Sequence, residues 1–232
     1  MRPVVSKGVY MPFLPGILYE DNDILVCYKP AGLAVQSAKV SQPDLESALR
    51  THRAQSGEDS YIGIITRLDQ PVEGLLVFAK TKKAAAALSR SQQEGTWIKE
   101  YFAVVNGCPP QSGELIDWLL RDGRTNTSRV VTPKTKGAKK ARLRYERVAS
   151  DAVHTHTLLR IRLDTGRHHQ IRVQLAGAGF PIAGDKKYGI PDKEKQPLAL
   201  CCAKLSFPHP ETGQILTFES KPKGKRFDTF SL

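Results

Sequence analysis

The chain has 232 residues, which is enough for one large domain or two small ones with a sizeable core. Its 35 lysines and arginines outnumber its 23 aspartates and glutamates, and the resulting charge of +12 favours a polyanionic partner, most simply nucleic acid. The four cysteines form no C-x-x-C pair, and no apolar run approaches the length of a membrane span, which argues against a disulfide framework, a zinc site and a membrane protein. Residues 1–16 lack the apolar core of a secretory signal, so we expect a cytoplasmic protein with reduced thiols.

The first half of the chain predicts short strands with two helices between them. Turn residues at 21–23 separate two apolar runs and indicate a β-hairpin. Asp44 and Thr81 each precede a helical apolar pattern and are predicted to cap it. In chain order, the predicted elements are strands at 17–20 and 24–29, a helix at 44–54, strands at 61–65 and 74–80, a helix at 82–93 and a strand at 97–106.

The second half begins with a turn-rich polar segment at 111–137, for which we predict no regular structure. After it, the patterns predict strands at 139–148 and 154–163, a helix at 167–178, and strands at 198–207 and 215–219. Many hairpins with few helices indicate an α+β fold, a largely antiparallel mixed sheet with flanking helices. We expect an N-terminal extension at 1–16, one domain at 17–220 and a loose basic tail at 221–232.

One acidic residue, Asp69, lies at a position that suits a catalytic role. The run Thr66-Arg67-Leu68-Asp69 joins two predicted strands, and the turn residues that follow place Asp69 at the mouth of the sheet. A carboxylate on a short rigid connection, two residues from a guanidinium, is a candidate nucleophile or base. The alternative is a turn aspartate that caps its own backbone.

Tyr101 lies on an alternating strand and shares a face with Lys99 and apolar residues. This pattern is typical of a core tyrosine, and it also suits stacking on an unpaired base.

The segment after Thr165-Gly166 predicts a helix whose first turn contains Arg167, His168 and His169. A helix start attracts anions and disfavours cations, so Arg167 is expected to have an acidic partner, for which Asp69 is a candidate. We predict no metal site at the two histidines, because adjacent helical residues diverge by about 100° and no third ligand has a usual spacing.

Taken in order, these motifs resemble the RluA-type pseudouridine synthases from about residue 24 to residue 218. The resemblance is carried by Lys29-Pro-Ala-Gly32, Arg67-Leu-Asp69, Gly74-Leu-Leu-Val-Phe-Ala-Lys80, Lys99-x-Tyr101, Thr165-Gly-Arg-x-His-Gln-Ile-Arg172, Pro181-Ile-Ala-Gly-Asp185 with Tyr188-Gly189, and Phe207-x-His-Pro210. It implies the pseudouridine synthase catalytic-domain fold with a central basic cleft. We expect no N-terminal S4 domain, because only residues 1–16 precede the first predicted strand.

Three positions depart from the family pattern. Thr66 stands where histidine is usual, His168 stands where a hydroxyl residue is common, and residues 70–73 replace a more usual charged and hydroxyl-bearing turn. Since Asp69, Tyr101 and Arg167 are retained, these departures predict altered RNA contacts rather than lost activity.

The resemblance implies isomerisation of uridines in rRNA or tRNA to pseudouridine, with no cofactor and no metal. Uracil leaves as a stabilised anion, so one carboxylate can replace the two of ordinary glycosidases. By the resemblance, Asp69 attacks C1′ or removes the 2′ proton, Arg167 pairs with Asp69, and Tyr101 stacks on the uracil. The target base must leave its stack, and Arg67 would fill the vacated space.

Further cations predict an RNA-binding surface, although a solvated charged face is the alternative reading. The predicted RNA contacts are Lys136, Lys139, Lys140, Arg142, His169 and Arg172. We expect a monomer. Two competing functions are a non-catalytic RNA-binding or ribosome-assembly protein with the same fold, and a nucleosidase that releases free uracil.

Overall fold

The computed structural model describes residues 16–37, 42–191 and 196–232, so almost all of the predicted N-terminal extension lies outside the described residues. The helices are α1 (Leu45–Gln55), α2 (Lys82–Gln93) and α3 (Gln170–Gly177), with a 3₁₀ turn at Lys225–Phe227. The strands are β1 (Gly16–Glu20), β2 (Ile24–Lys29), β3 (Gly63–Ile64), β4 (Glu73–Ala79), β5 (Ile98–Asn106), β6 (Ser112–Asp122), β7 (Thr127–Val131), β8 (Lys139–Ser150), β9 (His156–Leu163), β10 (Leu200–Pro208) and β11 (Ile215–Glu219).

All eleven described strands belong to one mixed sheet with the order β1-β2-β4-β10-β5-β9-β8-β6-β7, while β11 pairs with β10 and β3 pairs with β4. Every pair of named strands is antiparallel except β10 with β4. The predicted α+β class and largely antiparallel sheet are therefore confirmed. No helix in the described ranges is long and apolar enough to cross a membrane.

Both predicted helix caps are confirmed. The Asp44 carboxylate accepts a hydrogen bond from the backbone N–H of Ser47 at 2.8 Å, and the Thr81 hydroxyl accepts one from Ala84 at 3.0 Å. Each cap satisfies a backbone donor that the first helical turn leaves without an intrahelical partner. Because these signals are local, they were readable from the sequence.

The prediction of an irregular segment at 111–137 was wrong, because β6 and β7 lie within it. Residues 112–119 of β6 pair with β8 and residues 118–122 pair with β7, so β6 lies between these two strands. Gly113 has a packing reason to be small, since a Cβ there would lie 2.5 Å from the Tyr145 hydroxyl. Pairing across the sheet decided this structure, rather than the local composition.

The C-terminal segment 221–232 is docked rather than loose. Phe227 and Phe230 are 3% and 6% exposed and join the main core. The Glu73 carboxylate accepts a hydrogen bond from the backbone N–H of Gly224 at 3.0 Å. Burying an aromatic side chain is worth about 1.5–3 kcal/mol, so these two side chains hold the segment against the core.

The fold fixes where the Asp69 loop leaves the sheet. β4 is buried along its whole length, and its first residues run beside β10. At the crossing, Gly74 has φ +123°, and a Cβ there would lie 2.4 Å from the Cys202 carbonyl oxygen. Only glycine permits this close approach, so β4 enters the core directly after the loop.

Candidate active site

Asp69 lies in the loop between β3 and β4, as the sequence indicated, although β3 has only two residues. Its side chain is 28% exposed and its backbone carbonyl closes a turn with Val72 at 3.0 Å. Among the described residues, no backbone N–H donates to the Asp69 carboxylate, which instead contacts Arg172 and His169. Asp69 is therefore not a turn aspartate that caps its own backbone.

Lys29 binds the backbone of the Asp69 loop, a role that sequence reasoning missed. Its side chain is fully buried, and its ammonium donates to the carbonyl oxygens of Leu33 at 2.7 Å, Pro30 at 3.0 Å and Gln70 at 3.0 Å. Burial lowers the Lys29 pKa to about 8, while the charge of Asp69 opposes that shift. The Lys-Pro-Ala-Gly turn therefore holds the residue that follows Asp69.

The partner of Asp69 is Arg172, not Arg167. The Arg172 Nη1 atom lies 3.1 Å from Asp69 Oδ2, and its Nε and Nη2 atoms each lie 2.8 Å from an oxygen of Asp185. Desolvation lowers the Arg172 pKa, but its bonds to Asp185 and Asp69 outweigh this, and the net shift is upward. The Arg172 side chain is only 4% exposed and lines the cleft, and its predicted contact with RNA stays a prediction.

The predicted helix start at Arg167 was three residues too early. α3 begins at Gln170, and its N-cap His169 has the left-handed φ of 54°. Thr165 does not cap the helix; its hydroxyl donates to Gln170 Oε1 at 2.8 Å, and that oxygen also accepts from the Arg167 N–H at 2.9 Å. The exposed Arg167 side chain donates through Nε to the Lys140 carbonyl at 2.9 Å. The later start turns Arg172 toward Asp69.

Two histidines precede α3 and contact different partners. His169 Nε2 lies 3.4 Å from Asp69 Oδ2, and His169 Nδ1 lies 2.7 Å from the Tyr188 hydroxyl. His168 Nδ1 lies 2.8 Å from the Ser128 hydroxyl, and the two imidazole rings stack with centroids 3.7 Å apart. His169 was predicted to contact RNA, but its side chain is 4% exposed and directed to Asp69. Burial lowers its pKa to about 4, although the charge of Asp69 opposes the shift.

Asp69, Tyr101 and Arg67 line one cleft of about 1530 Å³. Tyr101 is 8% exposed, and burial raises the pKa of its phenol well above 10. Lys99 lines the cleft on the same strand, and burial lowers its pKa. Arg67 is exposed. The cleft thus combines a carboxylate, an aromatic ring and several cations.

Four further cations line the cleft, namely Arg121 and Arg162, which the sequence analysis did not single out, and the neighbouring Lys186 and Lys187. Arg121 belongs to β6, so its position was hidden by the wrong prediction for that segment. The Lys187 ammonium donates to the Asn126 carbonyl at 2.6 Å, which joins the β6–β7 turn to the segment after α3.

The predicted RNA-contacting residues on β8 and just before it differ in their ion pairing. Lys136, Lys139 and Lys140 are exposed. Arg142 is 45% exposed and forms ion pairs with Glu114 at 2.6 Å and Asp164 at 3.2 Å. These contacts offset part of its charge, so Arg142 is a weaker candidate for a phosphate contact than the lysines.

One group of possible metal ligands occurs in the described part of the chain, formed by Asp21, Asp23 and His209. The Asp21 oxygens already accept bonds from two backbone N–H groups and the Tyr19 hydroxyl, and His209 Nε2 lies 3.0 Å away. None of the three lines the cleft. The cluster is explained by the turn between β1 and β2.

Comparisons with known proteins match the chain to one family. Residues 23–177 match the family model described as RNA pseudouridylate synthase. The ribosomal large subunit pseudouridine synthase D of Neisseria meningitidis serogroup B is 35% identical, over 95% of this chain and 62% of its own length. The same-named protein of Vibrio cholerae is 37% identical, over 88% and 66%, respectively. The uncharacterized RNA pseudouridine synthase YhcT of Bacillus subtilis is 34% identical, over 88% and 67%.

Solved structures resemble the fold as a whole. The human RNA pseudouridylate synthase domain containing 4 has a TM-score of 0.75 at 22% identity, covering 92% of this chain and 90% of its own. The human RNA pseudouridylate synthase domain containing 1 also has a TM-score of 0.75, at 20% identity. The match covers 90% of this chain and 84% of that chain. The chain spans 62% to 67% of the length of the three curated relatives above. On the evidence of its fold, its motifs and the matched family model, the chain belongs to the RNA pseudouridylate synthase family.

Proposed function

We propose that this protein isomerises uridine to pseudouridine within RNA, and that Asp69 is its catalytic carboxylate. The observation that carries the proposal is the position of Asp69. It is held by the buried Arg172 at 3.1 Å and lines the same cleft as Tyr101. A charge-assisted bond to a buried arginine fixes the orientation of a carboxylate.

The acids of the cleft favour a reaction that needs one carboxylate. The described residues that line it include three acids, Asp69, Asp164 and Asp185. Asp185 has a fully buried side chain bound to Arg172, and Asp164 forms ion pairs with two exposed arginines. Hydrolysis of a glycosidic bond usually needs an acid and a base that are both free to act. Loss of uracil as a stabilised anion needs only Asp69, which attacks C1′ or removes the 2′ proton.

The size of the cleft suits a nucleotide that has left its stack. Pockets for small ligands measure about 300–1,000 Å³, and this cleft is larger at about 1530 Å³. In our proposal the flipped uracil stacks on Tyr101, and Arg67 fills the space it leaves. Arg167, exposed beside the cleft, contacts the RNA rather than Asp69.

Lys136, Lys139 and Lys140 extend the basic surface beyond the cleft and are proposed to bind RNA phosphates. Several relatives are named for the large ribosomal subunit, which favours rRNA over tRNA as the substrate. We propose that the protein acts in the cytoplasm as a monomer, without a cofactor or metal.

The test is release of tritium from RNA that contains 5-tritiated uridine. We expect the wild-type protein to release tritium, and Asp69→Asn to lose turnover while it still binds RNA. Asp228→Asn removes the same charge from an exposed position outside the cleft and serves as the matched control. Normal turnover by Asp69→Asn would overturn the assignment of Asp69.

Two other outcomes would select the competing functions. A wild-type protein that binds RNA and releases no tritium from any rRNA or tRNA pool would be a non-catalytic RNA-binding protein. Free uracil among the products would indicate a nucleosidase, whereas pseudouridine as the only product excludes one.

A further inference from the structure

The Asp69 carboxylate is bound on one side only. Arg172 Nη1 lies 3.1 Å from Oδ2, and His169 Nε2 lies 3.4 Å from the same atom. Among the described residues, no hydrogen-bond donor contacts Oδ1. With Arg172 donating to Oδ2 and His169 Nε2 in contact with the same atom, Oδ1 is the oxygen that is available to the substrate.

The position of the imidazole proton on His169 is inferred from its contact with Tyr188. The backbone N–H of Ser128 donates to the Tyr188 oxygen at 2.7 Å, and His169 Nδ1 lies 2.7 Å from that oxygen. Among the described residues, His169 Nδ1 is the only acceptor within hydrogen-bond distance of the Tyr188 hydroxyl. A hydroxyl that donates to Nδ1 places the imidazole proton on Nε2, the nitrogen that lies 3.4 Å from Asp69 Oδ2.

The Nδ1–H tautomer of His169 is disfavoured by the contacts of both ring nitrogens. With the proton on Nδ1, an unprotonated Nε2 would lie 3.4 Å from a carboxylate oxygen. The Tyr188 hydroxyl would also lose the acceptor for its proton. Because the His169 side chain is 4% exposed, water cannot readily compensate either loss.

We propose that His169 is a positioning residue: held in the Nε2–H tautomer by Tyr188, it orients Asp69 so that Oδ1 faces the substrate. This inference rests on the proposed catalytic role of Asp69. It assigns a function to an imidazole that the sequence analysis placed among the RNA contacts.

His168 supports this arrangement from the other face. Its Nδ1 lies 2.8 Å from the Ser128 hydroxyl, and its Nε2 lies 3.1 Å from Asn126 Oδ1. An amide oxygen only accepts, so His168 also has its proton on Nε2. The His168 ring thus joins the stacked histidines to the β6–β7 turn. Position 168 is also where this chain departs from the hydroxyl residue that is common in its family.

Burial lowers the pKa of both rings, and the neighbouring cations lower it further. Arg172 and Lys187 face both histidines, and Arg121 faces His168, so protonation would bring another cation beside them. Asp69 is the acid that opposes this effect, and burial has the largest influence on both rings. The pKa of His168 is lowered as well as that of His169, which favours the neutral form of both rings.

The first test observes the tautomer directly, by ¹⁵N NMR of the imidazoles in the whole protein without RNA. We expect His169 to show a protonated Nε2 and an unprotonated Nδ1 from pH 6 to pH 8. In Tyr188→Phe, which removes the donor to Nδ1, we expect the Nδ1–H form to become populated. A wild-type His169 with its proton on Nδ1, or one that is charged at pH 6, would overturn the inference.

The second test separates positioning from binding by single-turnover kinetics. We expect His169→Phe to slow tritium release on the order of ten- to a hundred-fold with unchanged RNA affinity, the usual range for losing an orienting partner. His169→Gln, which keeps a donor on a side chain of similar reach, should recover part of the rate. A wild-type rate in His169→Phe, or equal rates in the Phe and Gln variants, would overturn the inference.

The two proposals fail differently. An active Asp69→Asn variant would overturn the proposed function itself. An inactive Asp69→Asn variant together with a wild-type rate in His169→Phe would overturn only the role of His169. The NMR result on the wild-type protein and Tyr188→Phe is independent of activity.

Discussion

Replacing Arg172 with methionine should destabilise the protein strongly, and the structure sets the size of the effect. The substitution removes both bonds to Asp185, whose side chain is fully buried, and leaves that carboxylate without a cationic partner. Removing one partner of a buried ion pair costs about 3–5 kcal/mol. Asp69 contributes little to this cost, because its side chain is 28% exposed and can be solvated.

The measurement is urea denaturation followed by the fluorescence of the two tryptophans. The midpoint should fall with little change in the denaturant slope, because the surface exposed on unfolding is unchanged. A chain of this length loses about 2–4 °C of melting temperature per kcal/mol, so we expect a decrease on the order of 10 °C.

Two controls make the result specific. Arg167→Met removes an equal charge from an exposed side chain and should change the free energy of unfolding by less than about 0.5 kcal/mol. The double variant Arg172→Met with Asp185→Asn should recover part of the loss, since no buried charge is left unpaired. If Arg167→Met were as destabilised as Arg172→Met, or if Arg172→Met lost less than about 1 kcal/mol, the buried network would not have the role assigned to it.

Three further predictions concern the loop, the histidine and the basic surface. Gly74→Ala should destabilise the protein by about 3 kcal/mol or more in urea denaturation, because its Cβ would lie 2.4 Å from the Cys202 carbonyl oxygen; a wild-type midpoint would contradict this. The free energy of unfolding should decline as pH falls from about 6.5 to about 4, because the unfolded chain takes up a proton on His169 before the folded one does. His169→Asn has no titrating group there and should show a shallower decline, so an identical pH dependence would count against a lowered His169 pKa. Replacing Lys139 and Lys140 with alanine should reduce the salt dependence of RNA binding by a slope of up to about two, and an unchanged slope would return both lysines to a solvated face.

The features that were predictable from the sequence are those whose physical cause is local. Asp44 and Thr81 were recognised as caps because a side chain that accepts from the next helical turn needs no distant residue. The buried strand β4 was predicted within one residue from its apolar run. The position of Asp69 between two strands followed from the turn residues beside it, and its family from motifs in order.

The partner of Asp69 could not be found in this way. Arg167 and Arg172 are separated by a little more than one helical turn, and a helix start three residues later decides which one faces inward. That start depends on Gln170, whose side chain holds the preceding loop, and on the left-handed backbone of His169. Neither feature has a sequence signal as strong as a cap or an apolar run.

The sequence by itself determined the fold class, the two helix caps, the family and the identity of the candidate carboxylate. Only the tertiary structure decided how that carboxylate is held. Asp69 is bound by Arg172, its loop is anchored by Lys29, and His169, which is hydrogen-bonded to Tyr188, lies 3.4 Å from the same oxygen. The physical reason is that these contacts join residues far apart in the chain, and their geometry is set by buried charges that must find partners wherever the sheet brings them together.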